Sequence, residues 1–304
     1  MPQAEQPATI ERLLAIRALP LFSDVHLDEL AVVAEHARPT ECARGETLPA
    51  GIHLIVTGEV VEYRAGRPFR THGPQHVVGG FEALALAASD TRLVCEQDTS
   101  TLAIGRSDLR DILEDNFGTL SAALQGVAAS ILRLRRQLPG GGFPQHDARR
   151  KTEPAALDQL WVRTAFLRAQ RWLPAARIET LGHLAREASL VSIPDRMVLW
   201  REGEPADDAV MVIAGAVACT STAGGHRFER GGGAILGLDE ALAMEPRWYH
   251  ATARAPLTAL RLTRAAVLDA LEDDPDTALD MLTTLARVAS RLRDHVARAT
   301  TRMS

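Results

Sequence analysis

The side chains with the widest chemical reach fall between Asp239 and Thr252, where Asp239-Glu240 is followed by Pro246-Arg247-Trp248-Tyr249-His250-Ala251-Thr252. Glu240, Arg247, Trp248, Tyr249 and His250 supply stacking rings and hydrogen-bonding groups, the makings of a ligand pocket. The plainer reading of the same cluster is a core edge plus surface. Catalytic arrangements are missing from the sequence: it has no HExxH, no GxSxG, no paired-carboxylate motif and no GxGxxG after a strand. His72 and His76 stand four apart but in a Gly-Pro bend rather than on a helix, so no metal site is expected there. Lys151 is the only lysine against 33 arginines (34 − 1). That removes the GxxxxGK[ST] phosphate loop and any lysine-based covalent chemistry. Cys42, Cys95 and Cys219 are scattered singly, which argues for small buried side chains rather than a disulfide framework or a zinc site. These absences point to a binding or interaction protein, not an enzyme.

At 304 residues the chain has room for two domains, and 46% apolar with 24% charged residues is a soluble globular composition. A net charge of −5 disfavours a surface that neutralises many phosphates. No apolar run approaches the ~18 residues of a membrane span, and Met1 to Thr9 is polar, so a cytoplasmic protein without a membrane segment is expected. Helices are predicted over Ile10–Arg17 and over Val25–His36, the second capped by Ser23-Asp24. Strands follow at 46–48, 53–56, 60–63, 92–96 and 100–104, then helices at 107–114 and 117–138. Leu138-Pro139-Gly140-Gly141-Gly142-Phe143-Pro144 ends the last of these. A linker over 139–155, with Arg149-Arg150-Lys151, separates domains at 1–138 and 156–304.

The second half repeats the programme. Helices are predicted at 157–168 and 177–188. Met197–Trp200 and Ala209–Ile213 flank the turn Glu202-Gly203-Glu204-Pro205-Ala206-Asp207-Asp208 as a hairpin closing on a positive-φ Gly215. Strands at 217–221, 251–253 and 258–262 lead to helices at 264–271 and from Asp276 onward. Gly58 and Gly215 differ by 157 (215 − 58), and Arg106 and Thr263 keep that offset (263 − 106), the mark of an internal duplication. The first copy lacks six residues of turn: Leu48 to Gly58 spans 10 residues, Leu199 to Gly215 spans 16.

The run of apolar strand, Glu-Gly-Glu-Pro-Ala-Asp-Asp, apolar strand and Ala-Gly-Ala-Val resembles the β-roll of the cyclic nucleotide-binding domain family, to which catabolite activator proteins and regulatory subunits of cyclic-AMP-dependent kinase belong. Leu21-Phe22 is similar to the aromatic anchor preceding the roll. The resemblance implies an α+β fold of two tandem β-roll, jelly-roll-like domains, each with flanking helices and a long C-terminal helix. It also implies a cassette of the form Phe-Gly-Glu-Leu-Ala-Leu…Pro-Arg…Ala-Thr, in which the glycine lets phosphate approach the backbone, the arginine holds phosphate and the glutamate holds the ribose hydroxyl. In the first copy the cassette falls on Phe81-Glu82-Ala83-Leu84-Ala85-Leu86 with Arg92 at the arginine position; glycine is replaced by Glu82 and glutamate by Ala83. In the second copy Glu240 keeps the glutamate and Ala251-Thr252 the closing pair, but Asp239 stands for glycine and Tyr249 for arginine, with Arg247 two residues early. An acidic residue therefore occupies the glycine position twice. Pairing of Arg92 with Glu82 is the expected local outcome.

Leu124, Val127, Ile131 and Leu134 in the first long helix, and Leu285, Ala289, Leu292 and Val296 in the last, lie on seams spaced 3 and 4 residues apart, a coiled-coil period. The expectation is pairing of these helices, within the chain as a pseudo-dimer or with a second copy as a homodimer. Arg133, Arg135 and Arg136 read as a solvated basic face complementing a helix dipole. The resemblance would imply a helix-turn-helix after the long helix, as in the family's transcription factors, or a basic pseudosubstrate near the N-terminus, as in its kinase-inhibiting members; neither output is expected from these residues. The resulting expectation is a non-enzymatic regulatory or adaptor protein with degenerate cassettes and a protein partner, without a cofactor. The alternatives are a sensor of cyclic nucleotide or another small anion that shifts the long helices, and a nucleic-acid-binding regulator, which the acidity disfavours.

Overall fold

The computed structural model describes residues 9–64, 66–85, 90–143, 157–173 and 175–303. Leu86 and the basic triplet Arg149-Arg150-Lys151 lie outside them, as does the expected linker beyond Phe143. The chain divides into two compact units, Met1–Ala123 and Leu124–Ser304.

The first unit opens with α1 (Thr9–Arg17) and α2 (Leu27–His36), then runs β1 (Arg38–Cys42), β2 (Ile52–Thr57), β3 (Val60–Arg64), β4 (Arg67–His72), β5 (Val77–Val78), α3 (Gly80–Ala85), β6 (Arg92–Cys95), β7 (Thr99–Ile104) and α4 (Arg106–Asp115). The division between units falls inside α5 (Phe117–Arg135). The second unit continues with α6 (Leu160–Arg168), α7 (Ile178–Glu187), β8 (Ser189–Ile193), β9 (Val198–Trp200), β10 (Asp208–Ala214), β11 (Ala216–Thr220), β12 (Arg227–Gly231), β13 (Ile235–Leu236), α8 (Leu238–Ala243), β14 (His250–Ala253), β15 (Leu257–Thr263), α9 (Arg264–Glu272) and α10 (Pro275–Met303).

Each repeat folds as two antiparallel sheets. The first has orders β1-β7-β2-β5 and β4-β3-β6, and the second β13-β10-β15-β8 and β12-β11-β14-β9. Strand periodicity explains how one sheet serves two cores. On β2, adjacent Leu54 and Ile55 point to opposite faces: Leu54 joins the helix-side cluster of Ile16, Leu30, Val33 and Ile112, while Ile55 joins Cys42, Leu48, Val60 and Cys95 inside the roll. Burying each such side chain contributes roughly 1.5–3 kcal/mol. All three cysteines are free and buried, as their isolation implied.

The duplication persists in side-chain detail. Arg12 donates to the Ala37 carbonyl (2.8 Å) and Arg163 to the Ala188 carbonyl (2.9 Å), both pairs related by 151 (163 − 12 and 188 − 37). Beyond the turn the offset is 157, with Gly58 and Gly215 at φ +92° and +93°. The change from 151 to 157 is the six-residue trim of the first copy. The trim has a structural cost: where the second repeat has β9, the first keeps only the single bridge Thr47–Val94, so the strand expected at 46–48 is absent.

Three further expectations change. The strands flanking 202–208 do not form a hairpin, because β9 pairs with β14 whereas β10 pairs with β13 and β15 in the other sheet. The turn instead bonds to the Arg247 segment: Gly203 N–H donates to the Arg247 carbonyl (2.8 Å) and Arg247 N–H to the Glu204 carbonyl (2.8 Å). The α2 cap is His26, whose ring accepts from the Asp28 N–H, since a 3-10 turn at Pro20–Phe22 pushes the helix start past Ser23-Asp24. Strands β1, β4, β8 and β12 were hidden by broken alternation. In β4, for example, Arg67, Pro68, Arg70 and Thr71 are exposed and only His72 is buried. Among the described residues α5 is the one helix long and apolar enough to cross a membrane, and its Leu120, Leu124, Val127 and Ile131 are buried in the fold.

Candidate functional site

In the first repeat the cassette helix α3 starts at Gly80 and carries Glu82, Ala83 and Leu84. Glu82 does not meet Arg92. It accepts from Arg64 Nη2 (2.6 Å) and Thr91 Oγ1 (3.2 Å). Arg64 Nε in turn donates to Glu62 Oε1 (2.7 Å), and Glu62 Oε2 lies 3.2 Å from His72 Nε2. Glu62, Arg64 and His72 are all buried. Arg92 is exposed, with its guanidinium 5.8 Å from the centroid of the Tyr63 ring. Ala83 is buried and Leu84 half-buried. The Glu82 carboxylate is thus paired from inside the roll, by a strand arginine that the cassette pattern does not contain. The positive-φ glycines that precede the two cassette helices, Gly79 and Gly237, differ by 158 (237 − 79), so Glu82 stands opposite Glu240 and not, as the expected register had it, opposite Asp239. Residues 62 and 64, two apart on β3, share a face, and that spacing was the available clue.

In the second repeat Gly237, at φ +78°, turns β13 into α8. A Cβ there would collide with the Arg247 guanidinium, so glycine at 237 admits the arginine. Arg247 is buried. It donates to the carbonyls of Gly237 (3.3 Å) and Asp208 (2.8 Å), pairs with the Asp208 carboxylate, and stacks 4.2 Å from the centroid of the Trp200 ring. Asp208 also holds Arg261 at 2.9 Å. Tyr249, at the arginine position, is 1% exposed and meets Trp200, Trp248 and Phe228 edge-on at 5.7, 5.1 and 5.2 Å. Ala251 is buried, and Thr252 Oγ1 bonds His250 Nε2 (2.9 Å). The aromatic residues fill the interior as core.

The two acids of α8 differ in their surroundings. Asp239 pairs with Arg135 Nε at 2.8 Å. Arg135, at the end of α5, also donates to the Gly141 carbonyl (3.1 Å) and lies 3.9 Å over the Phe143 ring. It is therefore no solvated dipole complement: its side chain is 11% exposed. Glu240 is 2% exposed, and its Oε1 has no hydrogen-bond partner. Burial first, then the neighbouring Asp239 charge, push its carboxyl up to about 7. A carboxyl in that state is largely protonated below neutrality.

The seam residues Leu124, Val127, Ile131, Leu285, Ala289 and Leu292 are buried within the single chain, and Leu134 and Val296 are half-buried. Arg135, Phe143, Asp208 and Arg64 are the partners that the cassette pattern missed. Arg64, Arg135 and Asp208 lie 18 or more residues in sequence from the cassette residues they pair with; Arg135, Phe143 and Asp208 belonged to stretches singled out for other reasons, and Arg64 to none. Among the described residues no group of three or more His, Cys, Asp or Glu is placed to hold a metal ion.

Residues 190–274 match the family model for the cyclic nucleotide-binding domain. No curated protein matches the chain. Among solved structures, the chain is similar to the regulatory domain of Toxoplasma gondii PKA with cAMP, at 15% identity, TM-score 0.34, and 97% of each chain covered. It is also similar to the regulatory subunit of a cAMP-independent protein kinase A from Trypanosoma brucei, at 15% identity, TM-score 0.33, and 90% of each chain. A cyclic nucleotide-binding domain from Methylobacillus flagellatus is similar at 18% identity and TM-score 0.40, over 49% of this chain and 86% of that one. The matched segment runs from β8 to the end of α9 and contains the roll, the Gly237 turn and the cassette helix. Residues 190–274 are thus similar to the cyclic nucleotide-binding domain.

Proposed function

We propose that this chain is a non-enzymatic regulatory or adaptor protein in which both nucleotide cassettes are degenerate and output passes through a protein partner. One observation carries the reading: three charged groups of the cassettes are already paired within the chain. Glu82 is held by Arg64, Asp239 by Arg135, and Arg247 by Asp208. A cyclic phosphate entering either site would have to displace an ion pair and then meet a carboxylate, losing on both counts. Burial of the seam residues supports use of the long helices inside one chain rather than between copies.

The test is a thermal-shift titration of the full chain with cyclic AMP, cyclic GMP and cyclic dinucleotides. No rise in Tm is expected up to millimolar concentration, because a ligand of the folded state must raise it. A saturable rise would establish instead the sensor reading, which the family match over residues 190–274 favours.

A further inference from the structure

Around the second cassette the roll's own Arg247 is taken up by Asp208, and the carboxylates Asp239 and Glu245 meet guanidinium groups from the end of α5: Arg135 on Asp239 at 2.8 Å, and Arg136 on Glu245 at 2.8 Å. Rings complete the set. Phe143 lies 4.8 Å from Phe228, which stacks on Trp248 at 5.6 Å, and both Arg135 (3.9 Å) and Arg230 (4.8 Å) sit over the Phe143 face. A planar cation held at once by a carboxylate and an aromatic face is the geometry that selects arginine over lysine.

We propose that the second cassette has become a guanidinium-recognition site, with Arg135 and Arg136 as its resident occupants and an arginine-bearing segment of a partner protein as the ligand class that competes for it. This rests on the reading that the cassette no longer serves a nucleotide phosphate, and it gives the partner a chemistry. Glu240, next to Asp239 on the same helix, is 2% exposed, and its Oε1 has no donor among the described residues, an acceptor left over beside the Asp239 pair. The turn that brings Phe143 back over Arg135 is specific to glycine. Gly141 and Gly142 sit at φ +67° and +62°, and a Cβ would lie 2.9 Å from Trp248 at the first and 2.9 Å from Leu292 at the second.

The experiment removes the resident arginines and offers one in solution. In full-length Arg135→Ala/Arg136→Ala protein, N-acetyl-arginine amide is expected to bind saturably and raise Tm by about 2–4 °C. The citrulline analogue, uncharged and of like shape, is expected to do nothing, and the lysine analogue to act at least fivefold more weakly. Adding Asp239→Asn should abolish the response. An equal response to all three amides, a response that survives Asp239→Asn, or no response from the folded double variant overturns the proposal. Should the double variant fail to fold, Arg135→Lys keeps the charge and loses the fork; the arginine amide must then stabilise this variant and leave the parent unchanged, and equal effects overturn the inference. A cyclic-nucleotide response of the parent chain would count against the functional reading, and is measured separately from amide selectivity.

Discussion

Glu240→Gln offers the sharpest test of the electrostatics. In the folded second repeat the Glu240 carboxyl is held at about 7 against an ordinary 4.5, by burial and by Asp239. Between these values the native state keeps a proton that the unfolded chain releases, so stability falls as pH rises from about 4.5 to about 7 and is flat above. At 1.36 kcal/mol per pH unit the whole window is worth about 3 kcal/mol. Gln is neutral throughout and mimics the protonated acid, so the variant is expected to match the parent near pH 5 and exceed it by up to about 3 kcal/mol at pH 8. Urea unfolding followed by tryptophan fluorescence is the assay. All four tryptophans (Trp161, Trp172, Trp200, Trp248) belong to the second unit, so the signal reports that unit alone. Asp274 and Glu202, both held below the ordinary carboxylate range, shed stability as pH falls through the acid range instead. Subtracting the variant profile from the parent removes them. Parallel profiles from pH 5 to 8, or a variant less stable at pH 8, would refute the assignment of Glu240 as a buried, largely neutral acid.

Two other outcomes follow from the same contacts. Arg64→Ala leaves buried Glu62 and half-buried Glu82 without that cation and is expected to cost about 3–5 kcal/mol in a circular-dichroism melt, while Arg92→Ala, at an exposed position, is expected to change stability by under about 0.5 kcal/mol. Because the seam positions are covered within one chain, sedimentation velocity at micromolar concentration should give a monomer; a dimer that Leu292→Glu dissociates without unfolding would refute intrachain use of the seam.

Element type and order were readable wherever the pattern was periodic or punctuated. Helices α2, α4, α7 and α9, the Gly58 and Gly215 corners and the duplication itself follow from local spacing and turn chemistry. Strands β1, β4, β8 and β12 were not readable, because their residues are mostly exposed or half-buried and alternation is weak. The supposed hairpin at 198–213 failed for a different reason. Two apolar strands around a polar turn look alike whether they pair with each other or enter separate sheets, and the choice lies with β14 and β15, some fifty residues on.

The sequence alone pointed to the roll and its doubling, since these are matters of residue type at fixed local spacing. It placed Glu82 and Asp239 in the cassette segments, but the register belongs to the fold: the positive-φ glycines before α3 and α8, Gly79 and Gly237, differ by 158 (237 − 79), which sets Glu82 against Glu240. Only tertiary structure decided what those acids meet. Arg64, Arg135 and Asp208 lie 18, 104 and 39 residues from their partners Glu82, Asp239 and Arg247, and a charge finds its counterion through the path of the backbone in space. Desolvation likewise belongs to the assembled core, which is why Asp239 and Glu240, adjacent on one helix, end as a paired carboxylate and an acid that holds its proton up to about pH 7.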